Sequence, residues 1–252
     1  MSEFFNNLWQ NFLETDSGFE FYRAFIRDDR YQLFFSGMWV TIRLSAMALL
    51  FGTLIGLFIT FLSLCKSNKH TVLPIKILIK TGNIFAGIYL DIIRGTPLIV
   101  QVMLWYFVII GPLPINLQPL LVAGIAFGVN SGAYLSEIFR AGILSVDKGQ
   151  AEAGRSLGMT RFTTMWRIVL PQAIKNVLPT IANEYIVLIK ETAIAFVIGV
   201  PDIIRAAQVV NSRIFNPMMP FLGATVMYYI IIKFLSIIFK ILEKRLRRVD
   251  TR

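Results

Sequence analysis

The sequence predicts an all-α integral membrane protein with five spans, and three observations carry that reading. Of its 252 residues 56% are hydrophobic and 16% charged, and the mean hydropathy of +0.64 is too high for a water-soluble domain. Long apolar stretches recur along the chain, separated by charged connections. The basic residues gather in some of those connections and avoid others. Five helices of roughly 20 residues use about 100 residues, which leaves room for loops but not for a soluble catalytic domain of ~100 to 150 residues. Any large soluble activity must therefore come from a partner. A lone Cys65 and a lone His70 exclude an internal disulfide and a metal site built on histidines.

The elements follow in chain order. Residues 1–36 read as an extracytoplasmic arm, with six acids against three arginines in the first 32. It lacks the basic start and small-residue cleavage site of a signal peptide and is expected to be retained. The first span runs from about Gly37 to Leu64 and stops at Cys65-Lys66-Ser67-Asn68-Lys69-His70. The stretch from Pro74 to Arg94 is broken by Lys76, Lys80, Asp91 and Arg94, and is expected to lie in the interface as an amphipathic helix. Thr96 as N-cap and Pro97 at the first helical position start a second span from Leu98 to about Leu113. A third span is predicted from about Pro119 to Phe139, a fourth from Leu178 to Val200 and a fifth from Met218 to Phe239. Between the third and fourth, charges every few residues make about 140–176 a water-exposed loop. The layout is thus an arm, a spanning domain over 37–244 and a basic tail over 245–252.

Charge sorts the connections. Of 25 basic residues, 19 fall in the segments 66–94, 140–190 and 233–252. By the positive-inside rule these face the cytoplasm, so the N-terminus is outside and the C-terminus inside. The net charge of +10 is explained without nucleic acid, because the bases flank helices instead of clustering with stacking aromatics on one face.

Within the spans, small residues recur at every fourth position: Ala48, Gly52, Gly56 and Thr60 in the first, and Gly124, Gly128, Gly132 and Ser136 in the third. Each set forms a narrow, smooth helix face suited to close approach. Glu184, Lys190 and Glu191 lie in the fourth span, where a charge costs on the order of 2.5 to 3.5 kcal/mol. They are candidates for a solute pathway or its gate, as are the polar groups of Thr96 and Gln101; salt-bridging and packing are the structural alternatives.

The 140–176 loop reads as a helical hairpin. Asp147 and Gln150 have capping-box spacing, Gly158 suits a left-handed stop, and Thr160 can cap a second short helix that Pro171 ends. Glu152-Ala153-Gly154, then Gly158, then Ile168-x-Leu170-Pro171 matches the EAA motif, E-A-A-x3-G-x9-I-x-L-P, except that Gly154 replaces the second alanine. The chain therefore resembles the membrane subunits of bacterial ABC importers. Residues 94–101 (Arg-Gly-Thr-Pro-Leu-Ile-Val-Gln), 132–143 and 170–173 are similar to the polar amino-acid subfamily, and Lys190-Glu191-Thr192-Ala193 resembles its K-D-T-S.

That resemblance implies a five-span type I importer permease in the bacterial cell membrane. Its expected partners are cytoplasmic ABC ATPase subunits, a second permease subunit, identical or not, and an extracytoplasmic solute-binding protein; the solute would be a polar amino acid. It implies that the loop docks on the ATPase through Gln150, Glu152, Ala153, Gly154, Gly158 and Pro171. ATP and Mg would be bound by the ATPase, not by this chain, which has no Walker A pattern. A permease for another small solute is the alternative. An intramembrane enzyme needs a nucleophile–base pair or metal cluster that one His and one Cys do not supply.

Overall fold

A computed structural model describes residues 15–65, 67 and 72–249, with side chains as far as 245, and every element among them is helical. The start of the N-terminal arm, most of the basic 66–71 connection and the end of the tail lie outside the described residues. The helices are α1 Asp16–Phe21, α2 Tyr31–Leu64, α3 Leu73–Gly95, α4 Leu98–Met103, α5 Pro119–Leu144, α6 Lys148–Ser156, α7 Arg161–Thr164, α8 Leu170–Glu191, α9 Ile203–Ile214 and α10 Met218–Val249. By length and composition α2, α3, α5 and α10 (to Arg245) can cross a membrane.

Three expectations need correction, the first being Thr96, which does not cap the helix after it: it ends α3, donating its hydroxyl to the Ile92 carbonyl at 2.8 Å, and α4 follows Pro97 without a side-chain cap. The 74–94 stretch is one continuous 23-residue helix, α3, apolar enough to span, whereas the helix over Leu98–Ile110 is among the shorter ones. Counting uninterrupted apolar residues missed that the charges lie toward its two ends, where the long side chains of Lys76, Lys80 and Arg94 can reach polar surroundings. Pro171 also fails to end the loop's second helix. From Met165 to Val169 the chain takes up π-helical bonding and runs on into α8, through Pro171 and Pro179, to Glu191. Wider π turns absorb residues that cannot bond in the regular i→i−4 ladder. The helix expected to be the fourth span thus starts at Leu170 and ends in a tighter 3₁₀ turn, Thr192–Ile198, stopped by Gly199 at φ +84°, and it is not among the described helices apolar enough to cross a membrane.

The chain divides into two compact units. The first comprises residues 15–43 and 189–234. The arm residues it contains are not a loose strand: α1 continues as a π turn through Ile26, and α2 begins at Tyr31. Phe25 stacks between Phe21 and Phe34 at 5.1 and 5.2 Å, and its ring fills the space left by Gly223. Asp202, fully buried, caps α9 by accepting the Arg205 N–H at 2.8 Å. Gly37 lies against the Asp202 backbone so closely that a Cβ would sit 2.7 Å from its carbonyl. Burial pushes the Asp202 carboxyl up to about 6.

The second unit holds residues 44–188 and 235–249. Its centre is α5, the most deeply buried of the long apolar helices. Here the two small-residue faces meet each other. A Cβ on Gly52 would stand 3.1 Å from Ser131, one on Gly56 3.0 Å from Leu135, and one on Gly132 2.8 Å from Ile55. Thr60 donates to the Gly56 carbonyl at 2.7 Å and to that of Ser136 at 3.0 Å, joining the helices directly.

Two stability predictions follow from these contacts. Gly132→Leu should lower the thermal unfolding midpoint in detergent, by the ~1 to 3 kcal/mol typical of overpacking. Gly87→Ala, at a site with nothing within 4 Å, should leave it unchanged or higher. The second concerns pH. Because the folded-state pKa of Asp202 lies above the unfolded value, its contribution is full below about pH 4 and lost as pH rises through 6. Asp202→Asn keeps the cap and should flatten the pH dependence of unfolding between pH 4 and 7, by on the order of 2 kcal/mol; equal slopes in both proteins would contradict this.

Candidate functional site

The polar groups of the second unit converge on α5 from several sides. Helix α3 ends at Gly95 and α4 begins at Leu98, and Gln101 spans the break. Its amide donates to the carbonyls of Ile93 at 2.8 Å and Thr96 at 3.1 Å and to the Thr96 hydroxyl at 2.9 Å. These are carbonyls that a helix end otherwise leaves without partners. The Gln101 oxygen accepts from the Asn130 amide of α5 at 3.0 Å. Thr96 and Gln101 are thus brought together, with their polar atoms directed at the break and at α5.

Further along, Tyr89 of α3 donates to the Val129 carbonyl at 2.5 Å. Arg94 forms an ion pair with Glu137 and lies 6.0 Å above the Tyr134 ring, so one guanidinium serves a carboxylate and an aromatic face together. On another side of α5, Ser131 donates to Glu184 of α8 at 3.0 Å. Gly142 of α5 admits Val177 of α8. Between these two helices lies a cavity of about 460 Å³. Glu137, Tyr134, Asn176, Thr180 and Glu184 supply its polar lining. The space is of small-molecule size and presents the Glu184 carboxylate, the Glu137 carboxylate already paired with Arg94, an amide and hydroxyls. Lys190, exposed, and Glu191, half-buried, end α8 and belong to the other unit.

The motif-bearing loop is built as local chemistry dictates. Asp147 caps α6 by accepting the Gly149 N–H at 2.6 Å. At the other end Met159 N–H bonds the Gly154 carbonyl and Gly158 N–H that of Arg155, with Gly158 at φ +81°. Those two bonds and the left-handed glycine make a Schellman stop. Gly154 is buried, and a Cβ there would lie 2.7 Å from Ile168 Cδ1. The departure from alanine at this motif position therefore coincides with α6 packing on the residues after it. Gln150, Glu152, Ala153, Gly158 and Pro171 are all exposed, and α6 presents the first three on its outer side.

Several groups in this arrangement escaped the sequence reading: Asn130, Ser131, Asn176 and Thr180 as cavity or network residues, and Arg94 as the partner of Glu137. Asn130 and Ser131 sit in mid-span, and that position was the available signal, since polar groups inside a span need partners.

Comparison with known proteins places these features in context. Residues 80–248 match the model of a family described as binding-protein-dependent transport system inner membrane component. The putative glutamine transport system permease protein of Rickettsia conorii is 41% identical over 210 residues, covering 83% of this chain and 91% of that one. The arginine transport system permease protein of Bacillus subtilis is 36% identical over 214 residues, covering 85% and 92%. A crystal structure of an amino acid ABC transporter with histidines superposes with a TM-score of 0.76 at 37% identity, covering 85% of this chain and 94% of that one.

Proposed function

The chain belongs to the family of binding-protein-dependent transport system inner membrane components, and we propose that within this ABC importer permease family it carries a polar amino acid. The observation that carries the proposal is the carboxylate of Glu184, half-buried and held by Ser131 at the edge of a cavity inside a spanning unit. A carboxylate in hydrocarbon needs a compensating group, and the ammonium of an amino acid is such a group. Asn176, whose amide donates to the Ser145 hydroxyl at 2.9 Å, and Thr180 would face the solute carboxylate or side chain. Lys190, Glu191 and Thr96 are further pathway or gating candidates, and Gln101 acts by holding the α3–α4 break.

The loop transmits the work of ATP hydrolysis. Its exposed Gln150, Glu152 and Ala153 form the docking face for a cytoplasmic ATPase, which binds ATP and Mg. Gly154, Gly158 and Pro171 set the geometry of that face. A second permease subunit and an extracytoplasmic solute-binding protein complete the assembly. The N-terminus lies outside and the basic tail inside, which the uneven distribution of the 25 basic residues supports.

With the importer reconstituted in liposomes, Glu184→Gln should cut amino-acid uptake at least tenfold while solute-stimulated ATP hydrolysis persists. Ala153→Trp should abolish the stimulation itself, with membrane insertion intact. Full uptake by the first variant would remove Glu184 from the pathway, and full stimulation in the second would remove α6 from coupling. For orientation, a cysteine at Ser17 should react with an impermeant thiol reagent in intact cells; labelling only after lysis would reverse the topology.

A further inference from the structure

The acid-lined cavity is not the only space in the second unit. A larger one, about 770 Å³, lies between α2, α8 and α10, and its chemistry is different. Ala46 and Leu50 of α2, Leu178 and Ala182 of α8, and Phe239 and Leu242 of α10 make its walls. The space exists because alanines stand where Leu or Phe would fill it and because Pro179, inside α8, interrupts that helix's regular bonding. It opens to the surface, since Leu50 is 60% and Leu242 48% exposed. Thr53, Tyr185, Glu243 and Arg245 add a few polar groups to these mostly apolar walls.

The charged lining comes from one end. Glu243 and Arg245 both project from the last described turns of α10. Arg245 belongs to the run Lys240-Ile-Leu-Glu-Lys-Arg-Leu-Arg-Arg248, which holds five basic residues against one acid. An apolar trough whose basic lining residue, Arg245, belongs to this run matches a molecule with a long hydrocarbon tail and an anionic head. Helices α2 and α10 are long and apolar enough to cross a membrane, so hydrocarbon is the surrounding on either side of the trough.

We propose that the trough between α2, α8 and α10 is a binding site for an anionic phospholipid, with an acyl chain against Leu50, Ala182 and Leu242 and the phosphate at Arg245. Basic groups at the end of a spanning helix attract anionic headgroups by an amount equivalent to about fivefold in occupancy for each Lys or Arg. Such a lipid would pack where the protein's own side chains leave α8 unsupported beside Pro179.

The test uses the full-length chain in phosphatidylcholine vesicles doped with phosphatidylglycerol that carries a photoactivatable group in one acyl chain. The comparison probe is phosphatidylcholine bearing the same group. Adducts mapped by mass spectrometry should concentrate on the peptides around Leu50, Leu178 and Leu242 and be several-fold more abundant with phosphatidylglycerol. Arg245→Gln, an exposed change, should lower the phosphatidylglycerol adducts there about fivefold. Ala182→Phe should remove them from the trough while leaving adducts at the outward-facing Ile230 and Phe234. Equal yields from the two lipids, an unchanged yield in Arg245→Gln, or an absence of adducts in the trough, as when a second copy fills it, would each overturn the proposal.

Discussion

The close approach of α2 and α5 is the constraint on which the second unit depends. Between spanning helices the hydrophobic effect supplies no attraction, so they associate only as far as their surfaces fit. Here Gly52 and Gly56 receive Ser131 and Leu135, while Gly132 receives Ile55. The two hydrogen bonds of Thr60 add to the seam, but interhelical bonds of this kind average only ~0.6 kcal/mol. Dispersion along several turns of smooth contact therefore outweighs them. The bonds select the register of helices that the glycines have already allowed to meet.

With α5 held in that seam, its remaining faces are free to organise polar chemistry. Asn130 reaches Gln101, Ser131 reaches Glu184, and Glu137 reaches Arg94. Each contact satisfies a group that would be expensive to leave alone in hydrocarbon. Their distribution matters for function. The Gln101 network is closed on itself and on backbone carbonyls, so it stabilises a break in the spanning path. Glu184 instead borders a cavity, where a moving solute can become one of its partners. The loop helix α6 is connected to this arrangement through the uninterrupted helical path from Arg161 into α8, the helix that carries Glu184. The second helix of the loop is thus continuous with the helix that lines the cavity.

Legibility followed the range of the interactions. Gly158 as a left-handed stop and Asp147 as a cap were readable because each is settled by residues within a turn or two. The two small-residue faces were readable as faces. The α3 segment was misread because its charges were counted along the sequence when their position at the helix ends is what decides their cost. Pro171 was misread for a related reason: proline forbids one regular hydrogen bond, and the chain answered with wider turns upstream instead of stopping. Gln101 was visible as a polar residue, yet nothing nearby in sequence indicates that its amide closes a broken helix while its oxygen serves Asn130.

Composition, spacing and charge alone determined the helical membrane class, the motif-bearing loop, the smooth helix faces and the uneven distribution of basic residues. All of these are properties of single segments in contact with a uniform surrounding. Tertiary structure decided that the two smooth faces meet each other, that Ser131 and not a lysine holds Glu184, and that Arg94 pairs with Glu137. It also decided that one cavity of the unit is acidic and another apolar. Such pairings join residues tens of positions apart, and they depend on the rotation of each helix about its axis. That rotation is set by the fit of all neighbouring surfaces together, and no single segment carries it.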